Sequence, residues 1–259
     1  MKQLKRPTAL ILVGSSGLGA ATAIKLAKEG FDLILIHRDR KADMPEIEER
    51  FNQIREHGAG CLTFNADATN PLKQNELWEE IRAQSEQRKV NVLVHSIAKG
   101  NLKPMTGDNV LSNQDFQLTL QAMATSLYDW VQLISRHQGF SKDARIIAFT
   151  SEGNRKAIPH YGAVSAAKAS LESIVRNIAQ EFAPKGIKAN CIQAGVTDTA
   201  SLRRIPNYEI VMENALARNP NNRLTTPEDV ANSVYLLTRP EAKWITGTVI
   251  KVDGGESLQ

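Results

Sequence analysis

The sequence predicts an α/β fold: a Rossmann-type, doubly wound sheet of about seven parallel strands with helices on both faces. Three observations predict it. Apolar, β-rich runs alternate with helix-like stretches along nearly all of the 259 residues. The runs are continuously apolar, as strands buried on both faces must be. The first run passes through a glycine-rich turn directly into a helix pattern.

The elements follow in order. Strand 8–13 is Thr-Ala-Leu-Ile-Leu-Val, and helix 17–29 follows the glycine turn. Strand 32–37 leads to helix 45–56, strand 61–65 to helix 74–84, and strand 90–95 to a loop at 101–108. Helix 114–136, strand 145–150, helix 160–182 and strand 188–193 come next. Segment 197–222 is long, polar and only partly helical, a pattern often found in functional lids. Helix 227–238 and strand 248–252 close the chain. With no repeat, low-complexity tract or linker, residues 1–259 read as a single domain.

Composition narrows the class. Hydrophobic residues make up 42%, enough for a sizeable core, yet the longest apolar runs are far too short to span a bilayer. The first six residues, Met-Lys-Gln-Leu-Lys-Arg, lack the apolar stretch and small-residue cleavage site of a secretory signal. Cys61 and Cys191 lie in separate apolar segments and read as free thiols of a reducing, cytoplasmic setting. The net charge of +4 is spread along the chain, so no nucleic-acid surface is indicated. It suits an anionic cofactor or an acidic protein partner. The five histidines show no ligand spacing, so no metal site is expected.

The first turn is the candidate cofactor cradle: Gly14, Ser15, Ser16, Gly17, Leu18 and Gly19. Glycines permit a tight turn and close backbone approach, and a helix N-terminus offers free N–H groups to a pyrophosphate. The spacing is Gly-x2-Gly-x-Gly, neither of the usual dinucleotide spacings. The second strand ends at His37-Arg38-Asp39-Arg40. An acidic tip would accept ribose hydroxyls and favour NAD. Here the tip is His37, with Asp39 two residues on, and the guanidinium of Arg38 matches a 2′-phosphate, so NADPH is the expected cofactor. Asp67 and Ala68, past the third strand, are placed for the adenine. Ser96, Ile97 and Ala98 end the fourth strand, where small residues let a ribose approach. Gly195, Val196 and Thr199 are placed for a carboxamide and a phosphate.

Tyr161 and Lys168 are the candidate catalytic pair. Seven helical steps return to nearly the same face. A phenol that donates to a developing oxyanion and an ammonium that holds a ligand would then share one side of one helix. Ser151 is a possible second donor. His160 has at most a capping role.

Together these features resemble the short-chain dehydrogenase/reductase family over nearly the whole chain. Its common members carry Tyr-x3-Lys, but the residue four before Lys168 is Val164. Tyr-x6-Lys, with His95-Ser96-Ile97-Ala98 and Lys168-Ala169-Ser170-Leu171-Glu172, is similar to the divergent enoyl-acyl-carrier-protein reductase branch. Residues 198–202 with Pro206 and Asn207 are similar to its NADPH-dependent subgroup, often called FabL. The glycine loop is one residue shorter than that subgroup's. Gln121 stands where common members have a helix Asn that supports a proton relay. The resemblance implies reduction of trans-2-enoyl thioesters on acyl carrier protein in fatty acid biosynthesis. It assigns Tyr161 to the thioester oxygen and Lys168 to the nicotinamide ribose. It also implies a homotetramer built on helices 114–136 and 160–182. Segment 197–222 would close over the acyl chain with Leu202, Ile205, Val211, Met212 and Leu216, and Arg203 and Arg204 would meet the carrier protein. A carbonyl or quinone reductase, and an NADPH-binding regulator with little turnover, remain alternatives.

Overall fold

The computed structural model describes residues 6–259. The basic lead read as no secretory signal lies largely outside them.

Seven strands form one parallel sheet in the order β3-β2-β1-β4-β5-β6-β7. They are β1 (Thr8–Leu12), β2 (Asp32–His37), β3 (Cys61–Asn65), β4 (Val90–His95), β5 (Phe140–Ser151), β6 (Ile187–Ala194) and β7 (Val249–Val252). The order reverses between β1 and β4, the switch point outside which such sheets bind ligands. β1 and β2 are buried at every residue, which explains their unbroken apolar runs.

Helices α1 (Gly17–Lys28), α2 (Met44–Glu56) and α8 (Pro227–Thr238) cover one face. Their core residues include Ala23, Leu26, Phe51, Val230 and Val234. Helices α3 (Pro71–Gln84), α5 (Ser126–Arg136) and α6 (Gly162–Glu181) cover the other, and α4 (Asn113–Leu120) packs on α6. There Trp78 and Trp130 meet edge to face, 6.5 Å apart, over Leu10, Leu93 and Ile146. Helix α7 (Tyr208–Arg218) belongs to neither layer and buries only Ala215.

Three expectations change. The helix expected at 114–136 is α4 and α5 joined by a π-helical turn at Gln121–Thr125. β5 begins at Phe140, which pairs with Val90 ahead of an irregularity in the ladder that spans the polar residues Ser141–Asp143. The helix expected at 160–182 starts at Gly162: His160 has left-handed backbone (φ 64°) and Tyr161 is the N-cap residue.

Candidate active site

The glycine loop sits at the switch point. Val13 and Gly14 both donate their N–H to Ile36 O, at 2.8 and 3.1 Å, which folds the chain sharply off β1. The turn falls on Val13 itself, at φ 67°. A β-branched residue is disfavoured there by about 1–2 kcal/mol, and the loop one residue short of the familiar spacing carries that strain. Gly19 is obligatory, since an added Cβ would lie 2.0 Å from Val13 O and 3.0 Å from Ser96 Oγ. The N-terminus of α1 has no side-chain cap and no acidic residue in its first turn. Thr199 faces Gly17 across the loop, its Cγ2 3.6 Å from where a Cβ would stand. An uncapped helix N-terminus and a glycine floor fit a pyrophosphate, with the Thr199 methyl packed over the loop and its hydroxyl accepting from Leu202 N–H.

The residues expected at the adenosine are organised around Asp67. One carboxylate oxygen accepts from the N–H and Oγ1 of Thr69, at 2.9 and 2.6 Å. The other accepts from Arg38 at 2.9 Å and Lys99 at 3.1 Å. Burial works against the charge, but the Thr69 bonds and Lys99 outweigh it and hold the carboxyl at about 2. Asp67 is therefore occupied by protein donors, and the expected free acceptor for adenine is not present as such. Arg38, the expected phosphate contact, stays largely exposed and leans on the same carboxylate. His37 is buried and pairs with Asp39 at 2.8 Å, which turns Asp39 inward to the imidazole. Ala68 is held by its carbonyl, which accepts from Trp130 Nε1 and Gln74 Nε2. Ser96 and Ala98 reach the surface of the site, whereas the Ile97 side chain is buried in the core.

The expected catalytic residues gather at the last residues of β5. Tyr161 Oη lies 3.2 Å from Ser151 Oγ. Lys168 Nζ donates to Phe149 O at 2.6 Å. Phe149 and Ser151 are alternate residues of one strand, about 6–7 Å apart. The two groups therefore converge on one strand end, although Tyr161 precedes the helix that carries Lys168. Apolar neighbours raise the Tyr161 phenol, against the Ser151 bond, so it stays protonated as a donor. Lys168 is buried, and desolvation lowers it to about 8, against the pull of Glu172. Val164 packs against Met123 and Ala167. The position four before Lys168 is thus filled with core.

His95 is fully buried and bonds Ser126 Oγ at 2.9 Å. Burial, reinforced by Lys168, lowers it to about 3, so it is neutral. Gln121 opens the π turn and donates its amide to Thr69 O, tying that turn to the adenosine end. In segment 197–222, Leu202, Ile205, Val211 and Met212 are half-buried and Leu216 is exposed. Arg203 forks onto Asp198 with two 2.8 Å bonds, which takes up the charge expected to meet a partner. Arg204 has no acidic partner among the described residues. Among those residues no cluster of His, Cys, Asp or Glu could hold a metal, and no helix is long and apolar enough to cross a membrane.

Residues 13–257 match the family model described as enoyl-(acyl carrier protein) reductase. The chain belongs to that family. It is a divergent branch of the short-chain dehydrogenases/reductases. The chain is 28% identical to a 1-cyclohexenylcarbonyl-CoA reductase of Streptomyces collinus, over 98% of this chain and 88% of that one. It is 29% identical to the NADH-dependent enoyl-acyl-carrier-protein reductase FabI of Aquifex aeolicus, over 82% and 77%. Its fold superposes on a Bacillus cereus enoyl-acyl carrier protein reductase bound to NADP+ and indole naphthyridinone. That match has a TM-score of 0.87 at 24% identity, covering 100% and 99% of the two chains. Membership makes the chain an oxidoreductase of a nicotinamide-dinucleotide fold.

Several residues of this enoyl reductase family member were not visible in the sequence. Lys99 joins the Asp67 cluster from the far side of the switch point. Arg50, on α2, reaches the glycine loop and donates to Ser15 O at 2.9 Å. Glu172, four residues after Lys168, is buried and accepts from Thr150 at 2.8 Å and from Asn154. Of these, only Glu172 lay inside a recognised motif, and nothing in that motif marked it as buried.

Proposed function

We propose that the chain is an NADPH-dependent enoyl-acyl-carrier-protein reductase, saturating trans-2-enoyl thioesters in fatty acid synthesis in the cytoplasm. The observation that carries this reading is the phenol of Tyr161 beside Ser151 at the end of β5, with Val164 buried where a carbonyl reductase of the common type needs its tyrosine.

When bound, the dihydronicotinamide supplies a hydride. Gly14 to Gly19 and Thr199 would hold the pyrophosphate, and Lys168 the nicotinamide ribose. Gly195, Val196 and the strand-end residues Ser96 and Ala98 would line the rest of the cofactor. Arg38 and Lys99 already converge on one carboxylate oxygen, so two cations stand ready for a 2′-phosphate. Tyr161 donates to the thioester oxygen as negative charge builds there, an interaction of about 3–4 kcal/mol in related acyl chemistry. Lys168 adds positive charge in a site that excludes water, where charge acts most strongly. Ser151 holds the phenol and orients its proton. The acyl chain would lie against Leu102 and the half-buried side chains of segment 197–222. Met105, packed over Gly162, would close the other wall. Arg204 would meet the acidic carrier protein. A homotetramer would form through α5 and α6, where Tyr128, Ile174, Ile178 and Phe182 line an apolar cleft.

The test offers crotonyl thioester, acetoacetyl thioester and a quinone in parallel, with NADPH and with NADH. Enoyl-dependent NADPH consumption is expected. Turnover of the ketone or quinone alone would overturn the reaction. An NADH preference would overturn the role given to Arg38. Tight NADPH binding without turnover of any of the three would favour a regulator.

A further inference from the structure

Helix α7 carries Val211, Met212 and Leu216 of the substrate segment, yet it buries a single residue, Ala215. A surface helix ordinarily docks through an apolar stripe. This one is fastened at its C-terminal end by charge. Arg218, its last residue, places one guanidinium nitrogen 3.1 Å from Glu152 Oε2 and 3.2 Å from Glu256 Oε1. Its other terminal nitrogen lies 3.3 Å from the carbonyl of Gln259.

Each partner leads into the site. Glu152 follows Ser151 directly, at the end of the catalytic strand. Glu256 is almost wholly buried, and its second oxygen accepts the N–H of Val196 at 3.0 Å. Val196 belongs to the loop after β6 that would meet the nicotinamide. The packing around Glu256 leaves no slack: a Cβ added at Gly195 would lie 2.9 Å from its Oε2. Adjacent Asn219 donates to Asp253 O at 3.0 Å and reinforces the same junction.

We infer that Arg218 and Glu256 are positioning residues that clamp the substrate helix to the cofactor loop and to the end of the catalytic strand. Arg218 touches neither substrate nor cofactor. It fixes where the apolar wall of α7 stands relative to Val196 and Ser151. Charge-assisted bonds are the strong class of hydrogen bond, and a guanidinium shared by two carboxylates holds direction as well as distance. The clamp rests on the proposed reaction only for its kinetic consequence, not for its mechanical one.

The test compares Arg218→Met and Glu256→Gln with Arg223→Met, which breaks an exposed pair with Asp229 of similar chemistry. Arg218→Met leaves two carboxylates facing each other, which can unfold a protein. Glu256→Gln keeps an acceptor for Val196 while it removes the charge. Amide exchange is measured on the cofactor-free protein, and kcat and KM are measured with enoyl thioester. Exchange across 208–218 should rise about tenfold or more in both clamp variants, and KM should rise more than kcat falls. Arg218→Lys should recover part of both effects. The clamp is overturned if exchange across 208–218 in Arg218→Met and Glu256→Gln matches that in Arg223→Met. Faster exchange in a protein that never turns over the enoyl thioester would uphold the clamp and remove the reaction instead.

Discussion

Replacing Tyr161 with Phe removes one oxygen and leaves a ring that is wedged in place. A Cβ added at Gly153 would lie 2.6 Å from the ring, and the ring packs on the Met123–Val164–Ala167 cluster. Those contacts survive the substitution. The folded protein loses only the 3.2 Å bond to Ser151, worth about 1 kcal/mol, or a fall in Tm of about 2–4 °C. The reaction loses its oxyanion donor, worth about 3–4 kcal/mol, or roughly two to three orders of magnitude in kcat. The catalytic loss therefore dominates. Lys168 cannot stand in, because its ammonium is held on Phe149 O at 2.6 Å. Ser151 is the one neighbour able to substitute in part, so Tyr161→Phe combined with Ser151→Ala should fall below either single variant. Loss of NADPH absorbance with crotonyl thioester gives kcat and KM, and a thermal melt gives the stability. A variant that keeps more than about a third of wild-type kcat, with Tm nearly unchanged, refutes the role of the phenol.

Three further predictions follow from the same site. Burial lowers Lys168 to about 8, so it is charged below that pH and neutral above it. The kcat/KM for NADPH, which reports the enzyme before it binds cofactor, should therefore decline through an alkaline limb near that value, and a limb that Lys168→Arg does not displace would sever it from Lys168. Arg38→Ala should weaken NADPH about ten- to a hundredfold and leave NADH nearly unchanged, by titration of cofactor fluorescence; equal losses for both would deny Arg38 the 2′-phosphate. Gly19→Ala forces a Cβ to within 2.0 Å of Val13 O, a backbone atom that cannot yield cheaply. Cofactor binding should collapse even where circular dichroism shows the sheet retained; binding equal to wild type would mean that the loop tolerates a different path.

Much of the fold was legible because the chain obeys simple periodicities. Strands 32–37, 61–65 and 90–95 and helix 227–238 have the expected limits, since polar or glycine-containing breaks interrupt the apolar or amphipathic runs. The start of β5 was hidden because Ser141, Lys142 and Asp143 look like a loop, although the backbone there continues the strand. The π turn at Gln121–Thr125 changes the hydrogen-bond pattern but not the composition, so no residue announces it. The Tyr161–Lys168 spacing pointed to the right neighbourhood for a partly wrong reason. Tyr161 reaches Ser151 from the N-cap, after a left-handed His160, and not from the helix face. The Asp67 cluster was half legible: Arg38 and Asp67 were each singled out, but their pairing, and Lys99, depend on β2, β3 and β4 delivering side chains to one point. Arg218, Glu152 and Glu256 are far apart in sequence and lie in three elements. Only the fold reveals that they share one junction.

The most direct measurement is the product formed from crotonyl thioester and NADPH carrying deuterium at the transferred position. Reduction of the double bond predicts butyryl thioester with one deuterium on the carbon β to the thioester. Recovery of the enoyl thioester unchanged, with deuterium appearing instead on the carbinol carbon of a reduced ketone offered alongside, would contradict it.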